Sequence, residues 1–451
     1  MSAQRLCIVG LGKLGIPMAA CFASKGFEVI GVDRDAARVA ALGRGLSPIV
    51  EPRVQELLTA HGGRVTATTD TAAAVRQSDA VFIIVPTPSQ DDGTFTPRFV
   101  VEACRDVARG LTQRPRPQLV VVTSTVMPGD TIAHALPTLE RCSGLRAGEH
   151  FHLCYSPEFI ALGSVVRDFL NPDMLLIGEH TPAAGQALVD IYRRTTDNSP
   201  AVARMSIVNA ELTKIAVNSF VTTKITFANM LANLCEGLPG GDVDVVTAAL
   251  GLDTRIGRKY LKGAVAFGGP CFPRDAVALA ALGRRLGDRA TLAESTDAAN
   301  RAQTQRLADV AAGLVPPRGA AAVLGLAYKP DTDVCEQSPG LHLCQALVER
   351  GVAVTAFDPL AMGSAARVLG DAVTMARSAE EAIAAADVVA VTTPWPQFAR
   401  LPADVFARPT HPRTVIDCGR MLDRAALAAV ANVVAVGVGD STAAAAQRAV
   451  A

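Results

Sequence analysis

No stretch of the sequence reaches the eighteen or more consecutive apolar residues of a membrane-spanning helix, so no helical span is expected. Met1-Ser2-Ala3-Gln4-Arg5 passes directly into the apolar run Leu6-Cys7-Ile8-Val9, without the pattern of a cleavable leader. There is no net charge either, since 43 Lys and Arg balance 43 Asp and Glu. A protein whose main task is nucleic-acid binding needs an excess of basic residues to neutralise phosphates, so that class is excluded as a partner. A local basic cluster for one small phosphorylated ligand stays open. The 10 cysteines contain no CxxC pair and no Cys/His spacing of a metal site, so no metal is expected. A chain with this much core does not need disulfides; a reducing cytoplasm is the expected location, with most cysteines as small buried hydrophobes.

What the sequence does hold is apolar residues, 49% against 19% charged, which excludes a disordered polymer. At about 150 residues per domain, 451 residues suggest three units. Leu6–Gly10, Glu28–Asp33, Ala80–Val85 and Leu119–Thr123 read as strands separated by Ala-rich helical stretches. Strands apolar on both faces predict a parallel sheet covered on both sides. The design recurs near the C-terminus in Ala320–Leu326, Val352–Asp358 and the run from Asp387 to Pro394, which echoes Asp79 to Pro86. Between the two lies Ala201 to Glu236, with neither Gly nor Pro, bounded by Pro200 and Gly237. Read as one helix it would extend ~54 Å, long enough to join two lobes and to pack against a second subunit. The expected fold is α/β: two Rossmann-like, doubly wound parallel-sheet domains joined by a long central helix. The expected domains are a Rossmann-like domain over 1–200, a central helical domain with a cysteine loop over 201–300, and a second Rossmann-like domain over 318–440.

Three motifs carry chemistry. Gly10-Leu-Gly12-Lys-Leu-Gly15 follows the first strand and opens a helix. Gly10 permits the tight turn, Gly12 admits a pyrophosphate to the backbone, and Gly15 allows close helix–sheet packing. The helix N-terminus offers free N–H groups and a positive dipole end to the phosphates. Such a fingerprint is weak alone, but Asp33 ends the next strand where a carboxylate meets ribose hydroxyls. An Asp there repels a 2′-phosphate and favours NAD over NADP; Arg34 and Arg38 are the nearby cations that argue the other way. Second, Glu211, Lys214 and Asn218 share one helix face. They form either a solvated charged stripe or, given their apolar neighbours, groups facing a closed cleft, where a Lys can hold an oxyanion or relay a proton. Third, Phe267-Gly-Gly-Pro-Cys271-Phe-Pro-Arg-Asp275 sets one Cys in a rigid turn, with Asp275 within reach if a helix starts at Pro273. A thiol at a helix N-terminus has a lowered pKa and becomes a usable nucleophile. A hydride-accepting cofactor and such a Cys together suggest oxidation of an alcohol to an aldehyde, capture as a thiohemiacetal, a second oxidation to a thioester, and hydrolysis to a carboxylate.

With these residues the chain resembles the UDP-glucose/GDP-mannose dehydrogenase family. The match runs through GLGKLG (10–15), VPTP (85–88), STVMPG (124–129), SPEF (156–159), AELTKIAVNSF (210–220), RIGRKYLKGAVAFGGPCFPRD (255–275) and GLAYKPDTD (325–333). The resemblance implies that Cys271 is the nucleophile, that Lys214 and Asp275 support proton transfer and the developing oxyanion, and that Asn218 fixes the substrate. It implies Glu158 as general base in thioester hydrolysis, with Thr125 helping to hold the water. Cofactor contacts are implied at Gly10, Gly12, Lys13, Leu14, Gly15, Asp33, Arg38, Pro86, Thr87, Ser124, Thr125 and Arg274. Substrate contacts are implied at Glu158, Phe159, Lys214, Asn218, Tyr260, Lys262, Phe267 and Gly268, with Tyr328 and Lys329 closing from the C-terminal lobe and Arg255 reaching a partner subunit's substrate. A homodimer or higher homo-oligomer through the central helix is implied as well.

The sequence departs from the family twice. Leu162 stands where a Glu usually follows the catalytic Glu, and Glu336 where an Arg usually follows KPDTD. Both bear on substrate and cofactor contacts. The GGPCFPRD loop points to UDP-glucose, taken to UDP-glucuronate, since the acetylamino-sugar members typically read GGHC. The alternatives are another nucleotide sugar (GDP-mannose or a UDP-N-acetylhexosamine) and a non-catalytic nucleotide-sugar binder. A two-domain β-hydroxyacid dehydrogenase would need neither Cys271 nor a second sheet.

Overall fold

A computed structural model gives the fold and describes residues 5–439; the Ala-rich stretch after Asp440, which reads as a tail or a frayed final helix, lies outside them. The chain divides into two compact units, one running to Ala216 and including Ala281–Gly287, the other holding Val217–Ala280 and the chain from Asp288 onward.

The first unit is built on an eight-stranded sheet: β1 Arg5–Val9, β2 Glu28–Val32, β3 Val65–Thr68, β4 Ala80–Ile83, β5 Gln118–Val122, β6 Phe151–Tyr155, β7 Met174–Glu179 and β8 Ala201–Ser206. Its order is β3-β2-β1-β4-β5-β6-β7-β8, parallel except where β7 runs against β6. The continuous apolar strands are explained by burial on both faces. Leu6 and Ile8 of β1 enter one core, with Phe22, Phe82 and Phe169, while Cys7 and Val9 enter the other, with Val81, Val120 and Phe151. The first core is aromatic at its centre: the Phe22 ring lies 5.2 Å from Phe82 and 5.3 Å, edge-on, from Phe169.

One expected element is different. The stretch 201–236 is not a single helix: Ala201–Ser206 is β8, and the helix spans Ile207–Glu236, 30 residues. The absence of Gly and Pro permits a helix but does not impose one. Ala201 to Ser206 instead pair in parallel with Met174 to Glu179, which satisfies the ladder on the open side of β7.

The second unit carries a six-stranded, all-parallel sheet: β9 Ala320–Leu324, β10 Ala353–Phe357, β11 Thr374–Met375, β12 Val388–Val391, β13 Arg413–Asp417 and β14 Ala431–Ala435, in the order β11-β10-β9-β12-β13-β14. Strand for strand this is the order of the first six strands of the first sheet, and the echo read in the sequence extends to hydrogen bonds. The Asp79 carboxylate accepts from the Arg5 amide at 3.1 Å, and that of Asp387 from Ala320 at 2.9 Å. The Gly10 amide donates to the Val32 carbonyl at 2.8 Å, and the Gly325 amide to Phe357 at 2.8 Å.

The copies diverge at the aspartate that ends the second strand of each. Asp358 is fully buried. Its Oδ2 accepts from the amides of Leu326 and Ala327 and from the Trp395 indole at 2.8, 2.9 and 3.1 Å, and its Oδ1 from the amides of Leu360 and Ala361 at 2.9 and 2.8 Å. With five donors on two oxygens, it is a structural strut.

Candidate active site

At the carboxyl ends of β1 and β4 the first sheet reverses its winding direction, which is where open α/β sheets bind their ligands. Gly10 holds φ at +108°, and a Cβ there would stand 2.0 Å from the Ile84 carbonyl oxygen. A Cβ on Gly15 would meet the Gly10 carbonyl oxygen at 1.9 Å, so the helix Gly15–Ser24 packs against the turn only because Gly is there. Gly12 is different: nothing lies within 4 Å of its Cβ position. A side chain at Gly12 would project into the open space that a pyrophosphate needs. Lys13 is exposed and Leu14 half-buried on the same turn.

Asp33 takes the Leu11 amide on Oδ2 at 2.7 Å and the Asp35 amide on Oδ1 at 2.9 Å, which fixes its carboxylate at the rim. The two arginines that argued for a 2′-phosphate are already held by carboxylates. Arg34 bonds Glu102 at 3.0 Å and lies 3.7 Å from Asp106, and Arg38 lies 3.3 Å from Asp35 and 3.8 Å from Asp33. Across the crevice, after Pro86, the Thr87 hydroxyl donates to the Thr125 carbonyl at 2.7 Å, and Ser124 Oγ accepts from the Val85 amide at 2.9 Å and donates to its carbonyl at 2.8 Å. These groups fit a dinucleotide ending in a plain ribose.

The SPEF segment follows β6 in the same unit. Burial pushes the Glu158 carboxyl up to about 7, against the opposing pull of a Tyr192 hydrogen bond and the Lys214 charge. Tyr192 Oη donates to Glu158 Oε1 at 3.2 Å. Lys214 Nζ donates to the Glu158 backbone carbonyl at 2.6 Å and stands 4.5 Å over the Phe159 ring. A carboxyl poised near neutrality is suited to general-base work. Tyr192 was not found in the sequence: it sits in the helix Pro182–Thr195, where an aromatic at core spacing carries no signal of chemistry.

Glu211, Lys214 and Asn218 are buried, which settles the choice against a solvated stripe. Glu211 turns out to serve the backbone. Its two oxygens accept the amides of Gly129 and Thr131 at 2.6 and 2.9 Å, which ties the long helix to the segment that carries Ser124 and Thr125.

The remaining site residues belong to the second unit. Helix Phe272–Arg285 begins one residue after Cys271, and its first turn closes through the Asp275 amide on the Cys271 carbonyl at 2.9 Å. Cys271 is exposed, as only Cys142 is among the other nine cysteines. Asn218 Nδ2 donates to Asp275 Oδ2 at 2.6 Å, both groups buried, and Arg274 Nε lies 3.7 Å from Asp275 Oδ1. The loop before the thiol is clamped from two sides. Asn300 bonds the Phe267 amide and carbonyl at 2.8 and 2.9 Å, and the Gly269 amide donates to the Glu336 carbonyl at 3.0 Å. A Cβ on Gly268 would meet the Gln337 carbonyl at 2.1 Å, and one on Gly269 the Tyr328 ring at 2.6 Å. Position 336 therefore meets the cysteine loop through its backbone, whatever its side chain. Tyr260 (φ 64°) sets its ring 6.0 Å from Phe272, and Lys329 stands 5.8 Å from the Tyr328 ring. Lys262 and Arg255 are not gathered in: both are exposed, and Arg255 is held by Asp253 at 2.6 Å.

Comparison with known proteins gives the same picture along the whole chain. Residues 4–196, 208–302 and 322–424 match, in turn, the NAD binding domain, the central domain and the UDP binding domain of the UDP-glucose/GDP-mannose dehydrogenase family. The chain is 37% identical to the UDP-glucose 6-dehydrogenase of Haloferax volcanii over 93% of its length and 98% of the relative's. It is 34% identical to the GDP-mannose 6-dehydrogenase of Pseudomonas syringae over 79% of its length and 81% of that protein's. A solved UDP-glucose dehydrogenase from Pyrobaculum islandicum superposes with a TM-score of 0.87 at 34% identity, covering 97% of this chain and 98% of that one. The protein belongs to the UDP-glucose/GDP-mannose dehydrogenase family, and its first sheet is that family's NAD-binding domain.

Proposed function

We propose that the protein oxidises C6 of a nucleotide hexose from alcohol to carboxylate, with UDP-glucose as substrate and UDP-glucuronate as product. The observation that carries the reading is Cys271, an exposed thiol at the start of a helix whose first-turn Asp275 is tied to Asn218. A binding protein has no physical need for that arrangement. NAD, when bound, takes a hydride in each of the two oxidations. Lys214 and Asp275 receive the alcohol proton and stabilise the oxyanion, and Asn218 holds the hydroxyl. The Cys271 thiolate adds to the aldehyde carbon to give a thiohemiacetal, which loses a proton and a hydride to become a thioester. Glu158 then takes a proton from water held by Thr125, the water oxygen bonds the acyl carbon, and the carbon–sulfur bond breaks to return the thiolate. One water is consumed and four electrons leave the sugar.

Substrate contacts are assigned to Phe159, Tyr260, Lys262, Phe267, Gly268, Tyr328 and Lys329, with Arg255 reaching a partner subunit's substrate. The 37% identity to a UDP-glucose 6-dehydrogenase, against 34–35% to the GDP-mannose 6-dehydrogenases, supports the choice of sugar. A cytoplasmic location fits ten free cysteines; no helix among the described residues is long and apolar enough to cross a membrane. The test is the yield of NADH per sugar nucleotide across UDP-glucose, UDP-galactose, UDP-N-acetylhexosamines and GDP-mannose. Two NADH from UDP-glucose, abolished in Cys271→Ala, is the expected result. Two from another member of the panel moves the substrate, and none from any member overturns the reading.

A further inference from the structure

The hydroxyls behind Glu158 form a chain with no role in the chemistry above. Tyr192 Oη lies 3.2 Å from Glu158 Oε1 and 3.2 Å from Ser156 Oγ, and Ser156 Oγ lies 2.9 Å from the Leu176 carbonyl oxygen. Tyr192 and Ser156 are each 2% exposed, so water does not compete for their hydrogens. Tyr192 is held from both ends, by its helix and by the Phe82 ring 6.4 Å away, and its hydroxyl stays where it is.

We propose that Tyr192 and Ser156 are positioning residues that hold Glu158 in both of its protonation states, with the Tyr192 hydroxyl turning from Glu158 to Ser156 when the carboxylate takes a proton. With Glu158 ionised, Tyr192 donates to it and Ser156 donates to the Leu176 carbonyl. With Oε1 protonated, Glu158 donates to Tyr192, Tyr192 to Ser156, and Ser156 to Leu176. Every hydroxyl hydrogen has an acceptor in both states, so neither one leaves a buried donor orphaned. The proton itself stays on Glu158 until it is released; only hydroxyl hydrogens turn. The inference rests on the reading of Glu158 as the hydrolytic base.

Other titratable groups nearby do not replace the chain. Lys214 bonds the backbone carbonyl of Glu158, the Cys21 thiol is pushed up to about 12 by burial, and the Cys154 thiol beside Tyr192 is pushed higher still. Both thiols stay neutral where Glu158 titrates.

The two hydroxyls weigh on the two states unequally, and this gives the test. The measurement is kcat against pH, with the sugar nucleotide that gives NADH, alongside the NADH burst of the first turnover. Glu158 must be ionised to act, so activity rises through its pKa. Tyr192→Phe removes a hydrogen bond from both forms, but the bond to the charged carboxylate is the stronger of the two, so the acidic limb shifts to higher pH, by up to about one unit. Ser156→Ala removes the acceptor that the protonated form needs and shifts the limb to lower pH. The burst of two NADH per site persists in both variants, because both oxidations precede hydrolysis. A purely structural role would lower thermal stability or scale kcat while the limb stays in place. Limbs that stay in place, or that move in the same direction, overturn the chain. Should Tyr192→Phe not fold, Ser156→Ala decides alone by the sign of its shift. Glu158→Gln separates the two readings: if it keeps the burst and stops turnover, the base stands whatever the fate of the chain, and if it turns over normally, both fall.

Discussion

Asp33 and Asp358 end corresponding strands in the two sheets, and their hydrogen bonds separate a carboxylate left open at the rim from a strut. Asp33 spends one amide contact per oxygen and keeps further lone pairs at the rim; Asp358 accepts five donors and is fully buried. Asp33→Ala should therefore weaken NAD binding about ten- to a hundredfold, the worth of one or two hydrogen bonds to ribose, and leave the melting temperature nearly unchanged. Asp358→Ala should do the reverse. It orphans several buried N–H groups and lowers unfolding free energy by about 3–5 kcal/mol in a denaturant titration, with NAD affinity retained in the folded fraction. Equal effects of the two substitutions on NAD affinity would refute the distinction. The sequence marks Asp33 as a ribose carboxylate by the glycine turn before it, while Asp358 reads only as an Asp at a strand end; its role as a strut lies in Trp395 and in amides that only the fold brings near.

At the scale of elements, the strands that can be read are those buried on both faces. β4 and β5 are nearly continuous in Val, Ile, Leu and Phe, and their limits in the structure fall within two residues of those read from the sequence. β8 was read as helix because Ala-Val-Ala-Arg-Met-Ser has no strong preference of its own; the open edge of β7 decides it. The cysteine loop reads in the sequence as a rigid turn around one thiol, but its packing is not legible there. Its clamps, Asn300, Tyr328 and the backbone at 336–337, lie tens of residues away, and no local pattern announces them. Tyr192 is the same case within the first unit. The clamp makes a prediction at this scale: Gly268→Ala pushes a methyl into the Gln337 carbonyl, found 2.1 Å from its Cβ position. The loop must shift by about an ångström, and a misplacement of that size costs about a hundredfold in kcat. Thiol alkylation kinetics should change in step, whereas unchanged alkylation and turnover would show that the loop yields freely.

For the whole molecule, an apolar face of the long helix suggests assembly. Phe220, Phe227, Met230 and Leu234 are 66%, 46%, 46% and 57% exposed and follow one another at seven, three and four residues, the spacing of a helical seam. Such a stripe on a monomer is an aggregation liability, and a second copy of the same chain covers it at the cost of no further sequence. We expect a homodimer or a larger even assembly by light scattering. Phe227→Asp with Met230→Asp should shift it toward monomer with little loss of fold, because exposed positions tolerate polar substitution to within about 0.5 kcal/mol. A wild-type monomer at micromolar concentration would remove the argument.

The burial of Asp358 under five donors also has a kinetic consequence. With that carboxylate taken up by the protein itself, the NAD-binding domain is the first sheet's, and the proposed reaction has two hydrides to collect there from each sugar. Under the proposed chemistry the first reduced cofactor departs and an oxidised one arrives while the sugar is half converted. An aldehyde waiting through that exchange would diffuse away or react elsewhere. In the proposed reaction a bond to Cys271 would keep it in place, and the thiol would serve as a mooring between two visits of the cofactor as well as a nucleophile.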